Sequence, residues 1–254
     1  MPSQTKTALV TGASRGIGRA TALVLAASGI RVLVHYSRSA EEAQSAVATI
    51  LAAGGRADAL PADLSAPDGP AFLAQQVRSI VGDRLDILVA NAGVSKSATL
   101  KDYVPTDFDP LFHTNVRGPF FLVQQLLPLL HEGSNIVFVS SVAARSIVGK
   151  PDPDGRSILL YASTKGAIDT LVRNWAGLLG PHGIRVNAVA PGIIDTDMSN
   201  FTKTEAGRQA ALNMQALQRI GKPDDVADVV AFLASDQARW ITGATIPVDG
   251  GTKL

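Results

Sequence analysis

Short runs of aliphatic and β-branched residues alternate along the chain with stretches whose apolar positions recur at helical spacing. The runs at residues 7–10, 31–36, 57–60 and 86–90 predict strands, and the helical patterns between them fall at 18–27, 40–53 and 70–81. The second half continues with a long helical region about 108–130, a strand at 135–140, a helix at 157–179 and a strand at 185–190. A last helix near 224–234 and a last strand at 245–248 complete the pattern. Strands separated by helices are crossover units of a parallel sheet rather than hairpins. The expected architecture is α/β: one domain over residues 1–254, with a doubly wound parallel sheet of about seven strands and helices on both faces.

Punctuation supports these bounds. Gly29, Gly54, Gly55, Gly133 and Gly183 stand just after helical patterns, where a left-handed residue ends a helix, and Pro223 opens the last one. Two segments resist the pattern: 149–156, which holds Pro151 and Pro153, and the polar stretch 195–220. Both are candidate substrate loops, the second a covering loop or helix; ordinary surface connections are the alternative.

Composition narrows the chemistry. Hydrophobic residues make up 46% of the 254 and aromatic residues only 5%, which suits helices packed on a buried sheet. Lys plus Arg (23) nearly cancel Asp plus Glu (22), so the chain carries no overall field that would draw it to nucleic acid or to a membrane surface. The absence of cysteine excludes disulfides and thiolate sites, and the four His show no ligand spacing, so no metal is expected. The polar start, residues 1–6, and the interrupted apolar stretch 120–130 lead us to expect a cytoplasmic protein with no membrane span.

The chemistry-bearing motif comes first. Thr11-Gly12-Ala13-Ser14-Arg15-Gly16-Ile17-Gly18 joins the first strand to the first helix. Gly12 and Gly16 permit a tight turn, Gly18 lets the helix lie close to the sheet, and the helix N-terminus offers N–H groups to a pyrophosphate. A dinucleotide is the ligand such a turn accepts. This spacing, and the order of later motifs over most of 7–251, resembles the short-chain dehydrogenase/reductase family and, within it, members like the 3-oxoacyl carrier-protein reductases. The resemblance implies a Rossmann fold and a nicotinamide cofactor.

The end of the second strand chooses between NAD and NADP, since an acid there would repel a 2′-phosphate. Here the residues are Tyr36-Ser37-Arg38, with no acid before Glu41, and Arg15 and Arg38 could both meet a 2′-phosphate. NADP(H) is therefore the expected cofactor, with solvated surface arginines as the competing explanation. By resemblance, Asp63 and Leu64 flank the adenine, and Asn91, Ala92 and Gly93 support the sheet and line the cofactor. Pro191, Gly192, Ile194 and Thr196 match the segment that grips the nicotinamide carboxamide. A turn or cap role is the alternative for Asp63 and Asn91.

Tyr161 and Lys165 lie four apart, so one helix face presents both. An ammonium beside a phenol, together with a positively charged nicotinamide, would favour the phenolate and bring its pKa toward working pH. By resemblance Ser141 orients the substrate oxygen, Ser140 being one register off, and Asn115 holds a water beside Lys165 as a proton relay. Taken alone, a strand-end serine reads as a turn residue, and an amide at 115 could simply bond local backbone. The reading is an enzyme interconverting a ketone or aldehyde and an alcohol by hydride transfer, with Tyr161 as general acid and base.

The chain departs from the family pattern in two places. Ser141 and Tyr161 are 20 positions apart, wider than is usual, the extra residues falling at 150–156. The stretch 120–130 carries no Lys or Arg, and His182 stands where an Arg would help to meet an acidic carrier protein. The expected partner is thus a small carbonyl or alcohol, with a 3-oxoacyl carrier-protein substrate as the alternative. A non-catalytic NADP-binding sensor would be expected to lack one of Asn115, Ser141, Tyr161 and Lys165, and all four are present. Relatives are commonly tetramers, and the apolar helices at 108–130 and 157–179 suit a homo-oligomer.

Overall fold

A computed structural model describes residues 5–147 and 155–252. Seven strands form one wholly parallel sheet: β1 (Thr7–Val10), β2 (Arg31–Tyr36), β3 (Ala57–Pro61), β4 (Ile87–Ala90), β5 (Asn135–Val139), β6 (Arg185–Pro191) and β7 (Thr245–Val248). Their order across the sheet is β3-β2-β1-β4-β5-β6-β7. The chain winds outward from β1 in one direction and then, starting from β4, in the other. The crevice where that order reverses, above the carboxyl ends of β1 and β4, is where such sheets bind ligands.

Alternation along each central strand feeds two cores. Leu9, Leu33, Leu88, Ile136 and Phe138 face one layer, with Leu122 and Val172 among their partners. Val10, Val34, Ile87, Val89 and Val137 face the other, with Leu25, Ile50 and Val230. Helices α1 (Gly16–Ala27), α2 (Ala40–Ala52) and the late helix Pro223–Ala234 cover the second face, and α3 (Gly69–Val81) lies on the first. Buried on both faces, the strands read as continuous apolar runs, and their ends fall within a residue or so of the expected bounds. Gly29, Gly54, Gly133 and Gly183 all take positive φ where helices end. Leu122 is fully buried, and Leu122→Ala is expected to lower unfolding free energy by about 3 kcal/mol in a denaturant titration.

The long helical region expected over 108–130 is broken in two near its Gly118-Pro119. α4 (Pro105–Phe112) runs into a wide turn of π geometry, His113–Arg117, before α5 (Gly118–Leu126). Pro119 has no N–H to return to the carbonyl four residues earlier, that of Asn115, so the ladder cannot continue in α form there. α6 (Leu159–Leu179) follows β5 and the described part of the loop after it. The stretch 195–220 is largely helical: a 3-10 segment, Asp197–Lys203, and α7 (Glu205–Leu212), with α8 (Pro223–Ala234) beyond. Its two ends are pinned together, Asp195 N–H donating to the Gly221 carbonyl at 2.8 Å. Among the described residues no helix is long and apolar enough to cross a membrane.

Candidate active site

The glycine turn is built by three different constraints. Gly12 and Gly16 have φ of 63° and 55°, the left-handed region that only glycine enters cheaply. At Gly18 the constraint is space: a Cβ there would lie 2.3 Å from the Gly12 carbonyl oxygen. Asn91 braces the turn from β4, its Nδ2 donating to the carbonyls of Thr11 (2.8 Å) and Gly12 (3.1 Å). The Thr11 hydroxyl accepts from the backbone N–H of Asn91 and Ala92, each at 3.0 Å. Beyond the turn, α1 begins with no acidic residue in its first turn and no side-chain cap. Ser14 is buried in the turn and Ile17 packs on the core beneath. An uncapped N-terminus with its positive dipole fits a pyrophosphate.

Ser37, Asp63 and Phe72 line a hollow of about 340 Å³ at the ends of β2 and β3, next to half-buried Tyr36. Ser65 donates to the Asp63 carboxylate from its hydroxyl (2.7 Å) and its N–H (2.9 Å), holding that carboxyl below its ordinary range, and nearby Arg38 adds to the effect. Leu64 is buried beneath. Of the two arginines expected to act together, Arg38 is exposed beside Asp63, and Arg15, also exposed, pairs with Asp197 at 3.3 Å. Across the crevice, Gly192 N–H donates to Val248 (3.1 Å), and Ile194 bridges Gly221. The Thr196 side chain comes up to Gly16, 3.3 Å from where a Cβ would stand. Pro191 closes β6, placing this segment on the same sheet edge as the glycine turn.

The catalytic candidates converge on that edge. Ser140 and Ser141 point opposite ways, as successive residues leaving a strand do. Ser140 Oγ is buried and donates to Asp169 at 2.7 Å, while Ser141 hydrogen-bonds the Tyr161 phenol and accepts from Ala143 N–H at 3.1 Å. The register ambiguity thus resolves in favour of Ser141 as the serine next to Tyr161. Lys165 is buried, its Nζ donating to the Val139 carbonyl at 2.7 Å and lying 5.5 Å from the Tyr161 ring centroid. Burial lowers its pKa to about 8, with the Asp169 carboxylate opposing.

Tyr161 behaves differently from expectation. Burial raises the pKa of the phenol and the bond with Ser141 lowers it, the first effect being the larger. The ammonium of Lys165 sits against the Val139 carbonyl and over the ring, rather than at the hydroxyl, so this lysine alone does not make the phenol acidic. Asn115 lies in the π turn with every polar atom of its side chain engaged. Its Oδ1 accepts from Val94 N–H (2.8 Å), and its Nδ2 donates to Val94 O (2.8 Å) and to Thr164 Oγ1 (3.0 Å). The amide bonds Val94 and Thr164, both distant in the chain, rather than neighbours in its own turn, and Pro119 has no N–H to offer the Asn115 carbonyl. Asn115 Oδ1 and Lys165 Nζ both crowd Gly93, at 3.3 and 3.6 Å from an added Cβ.

Sequence reasoning missed Asp169. Its carboxylate is buried and accepts from Ser140, from Arg145 Nε (2.9 Å) and from Thr245 Oγ1 (3.3 Å), tying α6 to the end of β5 and to β7. One helical turn beyond Lys165, it favours the ammonium. Asp169→Asn is expected to push the Lys165 pKa below about 8, so less of the cation remains at neutral pH; the pH-rate profile should lose its alkaline side at lower pH than the parent's. The expected insertion lies largely outside the described residues, but its last residue, Arg156, donates to the Ser97 carbonyl. The Ser157 backbone pairs with that of Ala98.

A dinucleotide turn and a Ser–Tyr–Lys group on one edge of a parallel sheet define a coenzyme-dependent oxidoreductase of α/β type. A family model described as Enoyl-(Acyl carrier protein) reductase matches residues 12–253. Versicolorin reductase 1 of Aspergillus parasiticus is 42% identical over 97% of this chain and 95% of its own length. A 3-oxoacyl-[acyl-carrier-protein] reductase of Staphylococcus aureus is 40% identical over 97% of this chain and 98% of its own. The crystal structure of the angucycline C-6 ketoreductase LanV with bound NADP superposes with a TM-score of 0.90 at 39% identity, covering 98% of this chain and 96% of that one. The chain belongs to the short-chain dehydrogenase/reductase family.

Proposed function

We propose that this protein is an NADP(H)-dependent carbonyl reductase whose substrate is a polycyclic aromatic ketone, with Ser141, Tyr161, Lys165 and Asn115 as its catalytic group. The observation that carries it is the contact of Ser141 with Tyr161 and of Lys165 with the end of β5, on the edge that holds the glycine turn. NADP(H) fits the residues present: an uncapped helix start for the pyrophosphate, and Ser37 and Arg38 with no acid at the end of β2 for a 2′-phosphate. When bound, the coenzyme supplies the hydride that reaches the carbonyl carbon.

The chain's own residues manage the proton. Ser141 Oγ–H donates to the carbonyl oxygen and fixes its position, and the Tyr161 hydroxyl gives its proton to that oxygen as negative charge develops there. The buried ammonium of Lys165 would hold the coenzyme ribose and link the phenolate left behind to the proton path. A water held by the Asn115 backbone would connect Lys165 to solvent, so that the phenol regains its proton. The segment from Asp197 to Lys203 and α7 forms the cover over the substrate.

Two observations favour an aromatic substrate over an acyl carrier protein. Val94, Ile147, Met198 and Phe201 expose large apolar surface on the segments bounding the cleft, while residues 120–130 offer no cation to an acidic carrier. The relatives named for versicolorin and for angucycline reduction act in the same sense. The test is NADPH consumption with polycyclic hydroxyaryl ketones, simple ketones and a 3-oxoacyl thioester. Higher kcat/KM on the thioester than on every aryl ketone would replace this reading by the carrier-protein one. A separate apolar groove of about 550 Å³ lies on the other face of α6, lined by Phe112, Phe120, Phe121, Ala167 and Leu171. It supports assembly of copies of this chain into a homotetramer, which sedimentation velocity checks.

A further inference from the structure

His35 has no part in the chemistry above, yet it is buried at the end of β2 and uses every polar atom but its own N–H on the coenzyme side of the sheet. Its Nδ1 accepts the Gly12 N–H at 3.1 Å, and its Nε2 lies 3.1 Å from the Ala62 carbonyl. Its backbone carbonyl accepts the Ala13 N–H at 2.9 Å. A carbonyl can only accept, so Nε2 carries the hydrogen and Nδ1 is the bare acceptor. We propose that His35 is a positioning residue for coenzyme binding: one neutral imidazole, wedged between the glycine turn and the end of β3, sets the direction of the Gly12 peptide.

The Gly12 peptide is held from both sides. Its N–H points into His35 at 3.1 Å and the carbonyl of that same peptide, Thr11 O, accepts from Asn91 Nδ2 at 2.8 Å, so the plane leading into Gly12 is fixed at both ends. The same ring spans to Ala62, the residue before Asp63, and so fixes the spacing between the pyrophosphate turn and the adenine hollow. An imidazolium would present an N–H to the Gly12 N–H and push the turn open. Burial guards against this by lowering the His35 pKa to about 4, the Ala62 carbonyl and Asp63 opposing, so the acceptor form holds at neutral pH. Asp63 is the charged group that acts on the ring, and Arg38 stands behind Asp63.

The inference rests on the proposed use of NADPH. Its test compares the full-length parent with His35→Leu, His35→Asn and His35→Gln, measuring the NADPH dissociation constant and kcat at saturating NADPH. Asn puts an acceptor where Nδ1 was, whereas Gln reaches toward Ala62 and offers Gly12 nothing. Leu and Gln are expected to weaken NADPH binding about tenfold or more, with Asn within about threefold of the parent, and kcat at saturation should stay nearly constant in all three. A merely structural role would lower stability and kcat in Asn and Gln alike without this split. Should Leu fail to fold, the Asn and Gln pair makes the same comparison. Equal binding by Leu and parent, or equal binding by Asn and Gln, overturns the role of His35 and leaves the function standing. A parent that binds no NADPH overturns the function, and this inference with it.

Discussion

Tyr161→Phe is expected to reduce kcat roughly a thousandfold while leaving the NADPH dissociation constant within a factor of about three, since general acid–base catalysis is worth about that much. The ring stays where it is, half-buried under Lys165, and only the hydroxyl is lost. With it goes the one proton donor in contact with Ser141. The size of the effect follows from what the site holds in reserve. Ser141 can still orient a carbonyl oxygen, and Lys165 still lies close by, but its Nζ is bonded to the Val139 carbonyl and stands over the ring rather than at the phenol's hydroxyl position. Single-turnover measurements with saturating coenzyme and the best ketone of the panel separate the chemical step from binding. Turnover within tenfold of the parent would remove Tyr161 from the reaction.

The same variant bears on the acidity of the phenol. Burial and the Ser141 bond pull its pKa in opposite directions, and burial wins, so the group is a poor base until positive charge enters the cleft. On the proposed reading, Lys165 would act through the ribose and the proton path, and the oxidised nicotinamide would be the cation that lowers the phenol. Alcohol oxidation, which starts from the phenolate, should therefore depend on pH more steeply than ketone reduction, which starts from the phenol.

Much of the architecture was legible because a parallel sheet leaves a plain trace. Strands buried on both faces read as unbroken aliphatic runs, and glycines such as Gly29 and Gly133 mark helix ends by a conformation other residues avoid. The helical region over 108–130 was legible in kind, with Gly118-Pro119 as the place where it should bend, while the π geometry of His113–Arg117 leaves no trace in the hydrophobic period. Motif spacing likewise drew attention to Tyr161, Lys165 and the glycines, which stand at short fixed intervals along the chain. It could not find His35 or Asp169. Their partners come from elements 23 to 76 residues away, and a ring or carboxylate at the end of such contacts has no signature along the chain. Arg15 shows the complementary case: charge and position point it toward a phosphate, and only the fold reveals that Asp197 also lies within reach of it.

Gly18→Ala is expected to cost roughly a hundredfold in NADPH affinity and to lower the melting temperature, although it adds one methyl group and alanine is the better helix former. Helix propensity alone favours the change. Packing opposes it: the new Cβ would lie 2.3 Å from the Gly12 carbonyl oxygen and 2.5 Å from Asn91 Nδ2. Neither neighbour can yield, because each is the other's hydrogen-bond partner, and the Gly12 N–H is fixed on His35. Relief requires α1 to lift from the sheet, carrying its N-terminus away from the pyrophosphate position, and α1 also packs on α8. The control is Gly177→Ala in α6, where a Cβ meets nothing within 4 Å. There propensity acts unopposed and stability should rise by about 0.5–1 kcal/mol, with coenzyme binding unchanged. If both alanines stabilised the protein and both variants bound NADPH like the parent, the close approach of helix and glycine turn would not be what shapes this site.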